Sequence, residues 1–275
     1  MTRGTVVWTE ERIQTRELEG RGKGTKEAYV PWIDIHDFSS KGNTHRFLGA
    51  YIKRPHLLFS DLELNAFTLC EWSLRYSDIR EQMPLDRSLT REIAELLRIP
   101  HPTYRGTDVS FVMTTDLFLT DAVDENKLYA VNVKPQGYLN KERELELLEI
   151  QRYYYAAMGI PHQIYVLTDA ATAIAKTIQW ARAAFLKSGS DEPYEGCYRE
   201  HALSLESELI ESNSDVPLLE YCRFYDSRCR LRPDTALQLA RSAIFARRLE
   251  IPMESSTPSQ TPLFLISGGK TKESL

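Results

Sequence analysis

The chain has no apolar run approaching the roughly 20 residues that a bilayer crossing requires. Its first residues, Met1-Thr2-Arg3-Gly4, lead into charged sequence instead of the apolar region of a signal peptide. A cytoplasmic protein with no membrane partner is expected. Cysteine is scarce: Cys70, Cys197, Cys222 and Cys229 are scattered without a C-x-x-C pair, which argues against a thiolate zinc site or a disulfide framework. The net charge of −5 is wrong in sign for a protein that coats nucleic acid unaided. No internal repeat is present. The glycine-rich stretch Gly20-Arg21-Gly22-Lys23-Gly24 lacks the Gly-Lys-Ser/Thr ending and the preceding apolar strand of a nucleotide-binding Walker loop.

What is present is an ordinary globular composition, 42% hydrophobic and 27% charged over 275 residues, enough for one large domain or two smaller ones. Charge is uneven along the chain. Residues 1–60 hold ten Lys or Arg against seven Asp or Glu, a faint footprint for phosphate contact in which Arg21, Lys23 and Lys26 are the DNA-binding candidates. A solvated arm is the competing reading.

Hydrophobic spacing predicts a buried helix from Ser60 to about Tyr76, an extended stretch from Asp78 to Leu85, and a helix from Leu89 to Arg98 stopped before Pro100. Two hairpin-like runs follow, Met113 to Thr120 and Lys127 to Lys134. Next come a helix from about Lys141 to Met158, closed by Gly159, and a strand from His162 to Thr168. Beyond that the pattern turns helical, at Ala170 to Leu186, Glu200 to Ser212 and Pro233 to Arg248, with a Gly/Ser/Asp linker at Lys187 to Pro193. Leu263 to Ile266 reads as a terminal strand or docking segment. The expected division is 1–169 for an α/β domain and 170–275 for a mainly helical one.

Along Tyr129 to Lys134, period-two alternation puts Ala130, Asn132 and Lys134 on one face and Val131 and Val133 on the other. A lysine at the end of an apolar strand, beside Asp116 on the neighbouring run, is costly unless its charge is used. Phosphodiester hydrolysis would use it. That reaction needs charge neutralisation at phosphoryl oxygens and an oriented water, which hard cations on carboxylate and carbonyl oxygens can provide. Glu63 completes the acidic set, although Ser60-x-x-Glu63 is also a capping box that satisfies the start of its own helix. Asp116 reads equally as a surface strand residue, and Lys134 as a solvated strand end.

The text around these residues resembles the TnsA family, the endonuclease subunit of Tn7-like transposons, over most of the first 170 residues. The matching segments are Gly20-Arg21-Gly22-Lys23-Gly24 with Tyr29 and Pro31-Trp32; His56-Leu57-Leu58 with Ser60-Asp61-Leu62-Glu63; Asp78-Ile79-Arg80-Glu81-Gln82 with Pro84-Leu85; His101-Pro102; Arg105-Gly106; Thr115-Asp116; and Val133-Lys134-Pro135.

The resemblance implies a restriction-endonuclease-like core, a mixed sheet flanked by helices, and a helical, winged-helix-like C-terminal domain. The implied activity is a Mg²⁺-dependent DNA endonuclease, with Mn²⁺ as a substitute, that cuts the 5′ ends of the transposon. A TnsB-like transposase would act on the 3′ ends and a TnsC-like AAA+ ATPase would control both. Glu63, Asp116 and the carbonyl of Val133 would hold the metal, and Lys134 would act on the water and scissile phosphate. Asn132 stands where the family commonly has Gln. A helix glutamate also belongs to the family's site; the spacing falls near Gln151, and Glu149 is the acidic candidate there, although Glu142, Glu146 and Glu149 also read as a solvated stripe. The alternatives are a non-catalytic assembly factor and a stand-alone restriction-type nuclease.

Overall fold

The computed structural model describes residues 7–37, 43–185, 194 and 196–269. The chain divides into two units, Met1–Thr168 and Asp169–Leu275.

The first unit runs α1 (Glu10–Leu18), β1 (His45–Leu48), β2 (Pro55–Leu58), α2 (Asp61–Ser73), β3 (Tyr76–Pro84), α3 (Arg87–Leu96), β4 (Thr114–Asp121), β5 (Leu128–Lys134), α4 (Glu142–Ala157) and β6 (His162–Val166). Strands β3-β4-β5-β6 form one mixed sheet in that order, antiparallel except for the final β5–β6 pair. A parallel pair needs a crossover, and α4 supplies it. Strands β1 and β2 pair separately.

Period-two alternation splits the sheet into two dry faces. On one, Ile79, Leu117, Leu119, Val131 and Val133 pack with Ala66, Phe67 and Cys70 of α2. On the other, Phe118 and Ala130 meet Ile93 and Ala94 of α3 and Ile150, Tyr154 and Tyr155 of α4. Asn132 and Lys134 have even numbers, like Ala130, and share the second face at its strand-end margin, where Asp116 lines the same cavity.

Helix ends follow local chemistry. Ser60 caps α2 by accepting from the Glu63 amide, and Leu74 ends it at φ 54°. Asp86 caps α3 by accepting from the Leu89 amide, 2.8 Å away. Helix α1 has little apolar surface of its own: Ile13 is buried beside Trp8 and Trp32, while Arg16 donates to the Trp32 carbonyl and pairs with Asp37.

The second unit contains α5 (Asp169–Phe185), α6 (Cys197–Glu211), α7 (Leu218–Cys229), α8 (Thr235–Phe245) and a two-residue antiparallel pair, β7 (Leu249–Glu250) with β8 (Ser267–Gly268). The linker expected at Lys187 to Pro193 lies outside the described residues. Leu263–Leu265 forms a 3-10 turn, not a strand. Among the described residues no helix is long and apolar enough to cross a membrane.

Candidate active site

Glu63 is the third residue of α2, and its carboxylate has two environments at once. Toward its own helix, Oε1 accepts from the Ser60 hydroxyl at 3.1 Å and Oε2 from the Phe59 amide at 3.0 Å. Across to the sheet, Oε2 also accepts from Nε2 of Gln82 at 3.2 Å. The cap and the site are therefore one arrangement. Burial raises the Glu63 pKa to about 7, with the negative charge of Asp116 adding to the effect.

Gln82 reaches Glu63 because β3 is distorted there. Its backbone sits at φ 51°, between the β3–β4 pairs Glu81↔Leu117 and Met83↔Thr115, which keep one register and place it opposite Asp116. A non-glycine residue held in the left-handed region is sparsely populated and clusters at functional sites. The Thr114 hydroxyl donates to Gln82 Oε1 at 2.9 Å, leaving the NH2 group for Glu63.

Asp116 lies where β4 and β5 part, since the final pair of their ladder on this side is Leu117↔Val131. Its Oδ2 accepts from the Val133 amide at 2.7 Å and faces Lys134 Nζ at 3.4 Å. A strand residue turns its N–H and C=O to the same side, so the Val133 carbonyl also faces the Asp116 side. The Lys134 ammonium stands 5.1 Å from the centre of the Tyr138 ring.

Glu63, Asp116, Asn132 and Lys134 line one cavity of about 570 Å³, together with Gln82 and Gln151. Asn132 is almost fully buried, and its Oδ1 lies 2.7 Å from Nε2 of His162. Gln151, on α4, is 7% exposed, and its Oε1 has no hydrogen-bond partner among the described residues. Glu149 does not line this cavity. Two residues along a helix are about 200° apart, so Glu149 faces a neighbouring cavity and is paired with Arg152 at 2.6 Å, whose hydrogen bond lowers its pKa. Gln82 and Gln151 are the lining residues that acidic-residue spacing cannot single out; only the resemblance, whose spacing falls near 151, points to one of them.

The donor set suits a hard cation. Among the described residues there is no group of three or more His, Cys, Asp or Glu fit to hold a metal, which leaves two carboxylates and a backbone carbonyl. Mg²⁺ keeps several waters and takes one or two carboxylates plus substrate phosphate. Two carboxylates close enough to raise the pKa of Glu63 form a site whose repulsion a cation relieves.

The glycine loop packs on the sheet. Gly22 sits at φ 74° with Pro84 so near that a Cβ would lie 2.2 Å from Cγ. Arg21 pairs with Glu19 at 2.9 Å and Asp34 at 3.5 Å, and Lys26 with Glu125 at 3.2 Å. Lys23 is exposed and has no ion pair among the described residues.

Residues 75–166, which span β3 to β6 and include Asp116, Asn132, Lys134 and Gln151, match the family model "TnsA-like endonuclease N terminal". Over 227 residues the chain is 34% identical to the transposon Tn7 transposition protein TnsA of Escherichia coli, covering 82% of this chain and 80% of that protein. With the alignment extending well beyond the matched domain, the chain belongs to the TnsA family of Tn7-like transposition proteins.

Proposed function

We propose that this protein is the DNA endonuclease of a Tn7-like transposition complex, cutting the 5′ ends of the transposon. A TnsB-like transposase acts on the 3′ ends, and a TnsC-like AAA+ ATPase controls the assembly. Its first unit serves as a restriction-endonuclease-like nuclease and its second, winged-helix-like, as a contact for partner or DNA. The observation that supports the reading most directly is the convergence of Asp116, Glu63 and Lys134 on one cavity.

Glu63, Asp116 and the Val133 carbonyl would hold Mg²⁺, or Mn²⁺ in its place. When bound, the cation neutralises charge on the phosphoryl oxygens and makes a water more acidic. Lys134, whose ammonium faces the Asp116 carboxylate at 3.4 Å, would orient the attacking water and offset the charge that develops on the phosphate. The Val133 amide fixes the Asp116 carboxylate, and Gln82 fixes that of Glu63, so neither must reorganise during the reaction. Gln151 Oε1, an unmatched acceptor, is suited to hold a water in the cavity.

The test is reconstituted excision with the partner proteins, comparing wild type with Asp116→Ala. Loss of 5′-strand cleavage with 3′ joining intact is expected. Equal double-strand excision by both proteins would overturn the reading in favour of an assembly role, and site-specific cutting by the wild type alone would point to a stand-alone nuclease.

A further inference from the structure

We propose that His162 is a positioning residue for cleavage: it holds the Asn132 carboxamide by its oxygen, so that the NH2 group of Asn132 faces the cavity as a donor to a non-bridging oxygen of the DNA phosphate. The inference rests on the endonuclease reading above and assigns Asn132 to the substrate instead of the cation.

The geometry is specific. His162 opens β6 and pairs in parallel register with Ala130, which brings its ring beside the side chain of Asn132 on the same sheet face. Nε2 and Oδ1 are 2.7 Å apart. The ring is braced: its centroid is 5.6 Å from that of Tyr155, and the Tyr155 hydroxyl is tied to Thr115 Oγ1 at 2.6 Å. Thr115 immediately precedes Asp116, so the brace returns to the cavity wall. The position of the proton follows from what each ring nitrogen faces. His162 Nδ1 makes no hydrogen bond among the described residues, whereas Nε2 has the carboxamide, so the proton on Nε2 is the one given a partner.

Electrostatics select the orientation of the amide. The cavity already holds the carboxylates of Glu63 and Asp116 and the unmatched Gln151 Oε1. Reversing Asn132 would add a further acceptor to that group. Turning the NH2 group inward supplies a donor where donors are short, at the height of Lys134 one pleat along the same strand face. A phosphodiester entering the cavity brings non-bridging oxygens that need such a donor, and a preorganised donor acts most strongly as charge develops.

The experiment uses the full chain with its partner proteins on DNA ends and compares Asn132→Ala, His162→Ala and His162→Gln. It measures kcat and KM for 5′-strand cleavage. It also measures the affinity of the full chain for Mn²⁺ alone, without DNA, by electron paramagnetic resonance. Expected is a loss in kcat of about 100-fold for Asn132→Ala and about 10-fold for His162→Ala, with KM within about 2-fold and rescue by His162→Gln, whose amide nitrogen replaces the Nε2 donor. Mn²⁺ affinity should stay within about 2-fold of wild type throughout, because neither residue faces the cation.

Weaker Mn²⁺ binding by about 10-fold in Asn132→Ala would mean that the oxygen faces the cation, overturning the proposal. So would a wild-type rate in His162→Ala. Should His162→Ala fail to fold, His162→Phe, which keeps a ring beside Tyr155 but has no Nε2 donor, takes its place with the same expected loss. Asp116→Ala run alongside separates the two levels: wild-type cleavage by that variant sinks the endonuclease reading itself, whereas its inactivity beside a fully active His162→Ala sinks only the role given to His162.

Discussion

The side-chain amide of Gln82 donates to Glu63 Oε2 over 3.2 Å from a backbone held at φ 51°, while the Thr114 hydroxyl fixes the other end of the amide. A donor to a carboxylate stabilises its charged form. Burial and Asp116 have already raised the Glu63 pKa to about 7, so removing this donor should raise it further. Gln82→Met keeps the side-chain length and loses the hydrogen bond. The expected result is a Glu63 carboxyl titration, followed by NMR in metal-free buffer, that moves to higher pH than in wild type. An unmoved titration would show that Gln82 does not tune Glu63.

The raised pKa of Glu63 also bears on stability. A carboxyl at about 7 in the folded chain and near its ordinary 4.5 in the unfolded one binds more protons when folded. Stability therefore falls as pH rises from 4.5 to 7, and above 7 the folded chain carries an unfavourable buried charge. Glu63→Gln removes that charge. It can keep the contacts if its oxygen faces the Phe59 and Gln82 donors and its nitrogen faces Ser60 Oγ. In metal-free buffer at pH 8 the variant should exceed wild type by about 1–3 kcal/mol, with the gain vanishing below pH 4.5. Millimolar Mg²⁺ should stabilise wild type and not the variant. Urea melts at both pH values, with and without Mg²⁺, measure both effects.

The sheet and its faces are legible in the sequence because the signals there are periodic. Leu117, Leu119, Val131 and Val133 alternate with Phe118 and Ala130, and that alternation puts Asn132 and Lys134 on a common side. The convergence of Glu63 with them is not legible from spacing, because Ser60-x-x-Glu63 describes a cap equally well, and here the same carboxylate takes both sets of contacts. Gln82 is silent because a single left-handed backbone position in a strand leaves no compositional trace. On α4, acidity draws attention to Glu149, whereas the helical turn brings Gln151 to the cavity. Helix α7 escapes because its buried stripe, Leu218, Cys222, Tyr225 and Asp226, is short and ends on a carboxylate. Helix α1 escapes because Arg16 docks it as much as apolar packing does.

A buried charge cluster anchors the first unit at a different level. Glu81, fully buried, accepts from Arg54 Nη1 at 2.7 Å and Nη2 at 2.5 Å, from the Leu57 amide at 3.1 Å, and lies 3.0 Å from His56 Nδ1. Burial works against its charge, but the hydrogen bonds from Arg54 and His56 outweigh it and hold the pKa at about 2. A depressed folded-state pKa stabilises above the ordinary 4.5, and that contribution is lost as pH falls through 2. Arg54→Met should cost about 3–5 kcal/mol at pH 7 by leaving a buried carboxylate without its bidentate cation, held only by the Leu57 amide and His56. The deficit should shrink as pH is lowered toward 3, where the mutant's Glu81 takes up a proton and the wild type's does not. Chemical denaturation of both proteins at pH 7, 5 and 3 checks the trend; a deficit independent of pH would place the cost in packing instead.

The glycine loop offers a graded test of DNA binding. Arg21 and Lys26 spend their charge on Glu19, Asp34 and Glu125, whereas Lys23 is exposed with no ion pair among the described residues. Every phosphate that a cationic side chain neutralises adds about 0.9 to the steepness of log affinity against log salt. Lys23→Ala should therefore flatten the slope for binding a transposon-end duplex by about one, while Arg21→Ala and Lys26→Ala change it by less than half as much. Gly22→Ala tests whether the loop's seat on Pro84 matters. Its left-handed φ and the 2.2 Å approach to Pro84 Cγ force the loop to move, so the variant should bind DNA with the flattened slope of Lys23→Ala and also be less stable. If the slope responds to Arg21 and not to Lys23, DNA displaces the loop's internal ion pairs, and the phosphate path runs along the Glu19–Asp34 side instead of the exposed one.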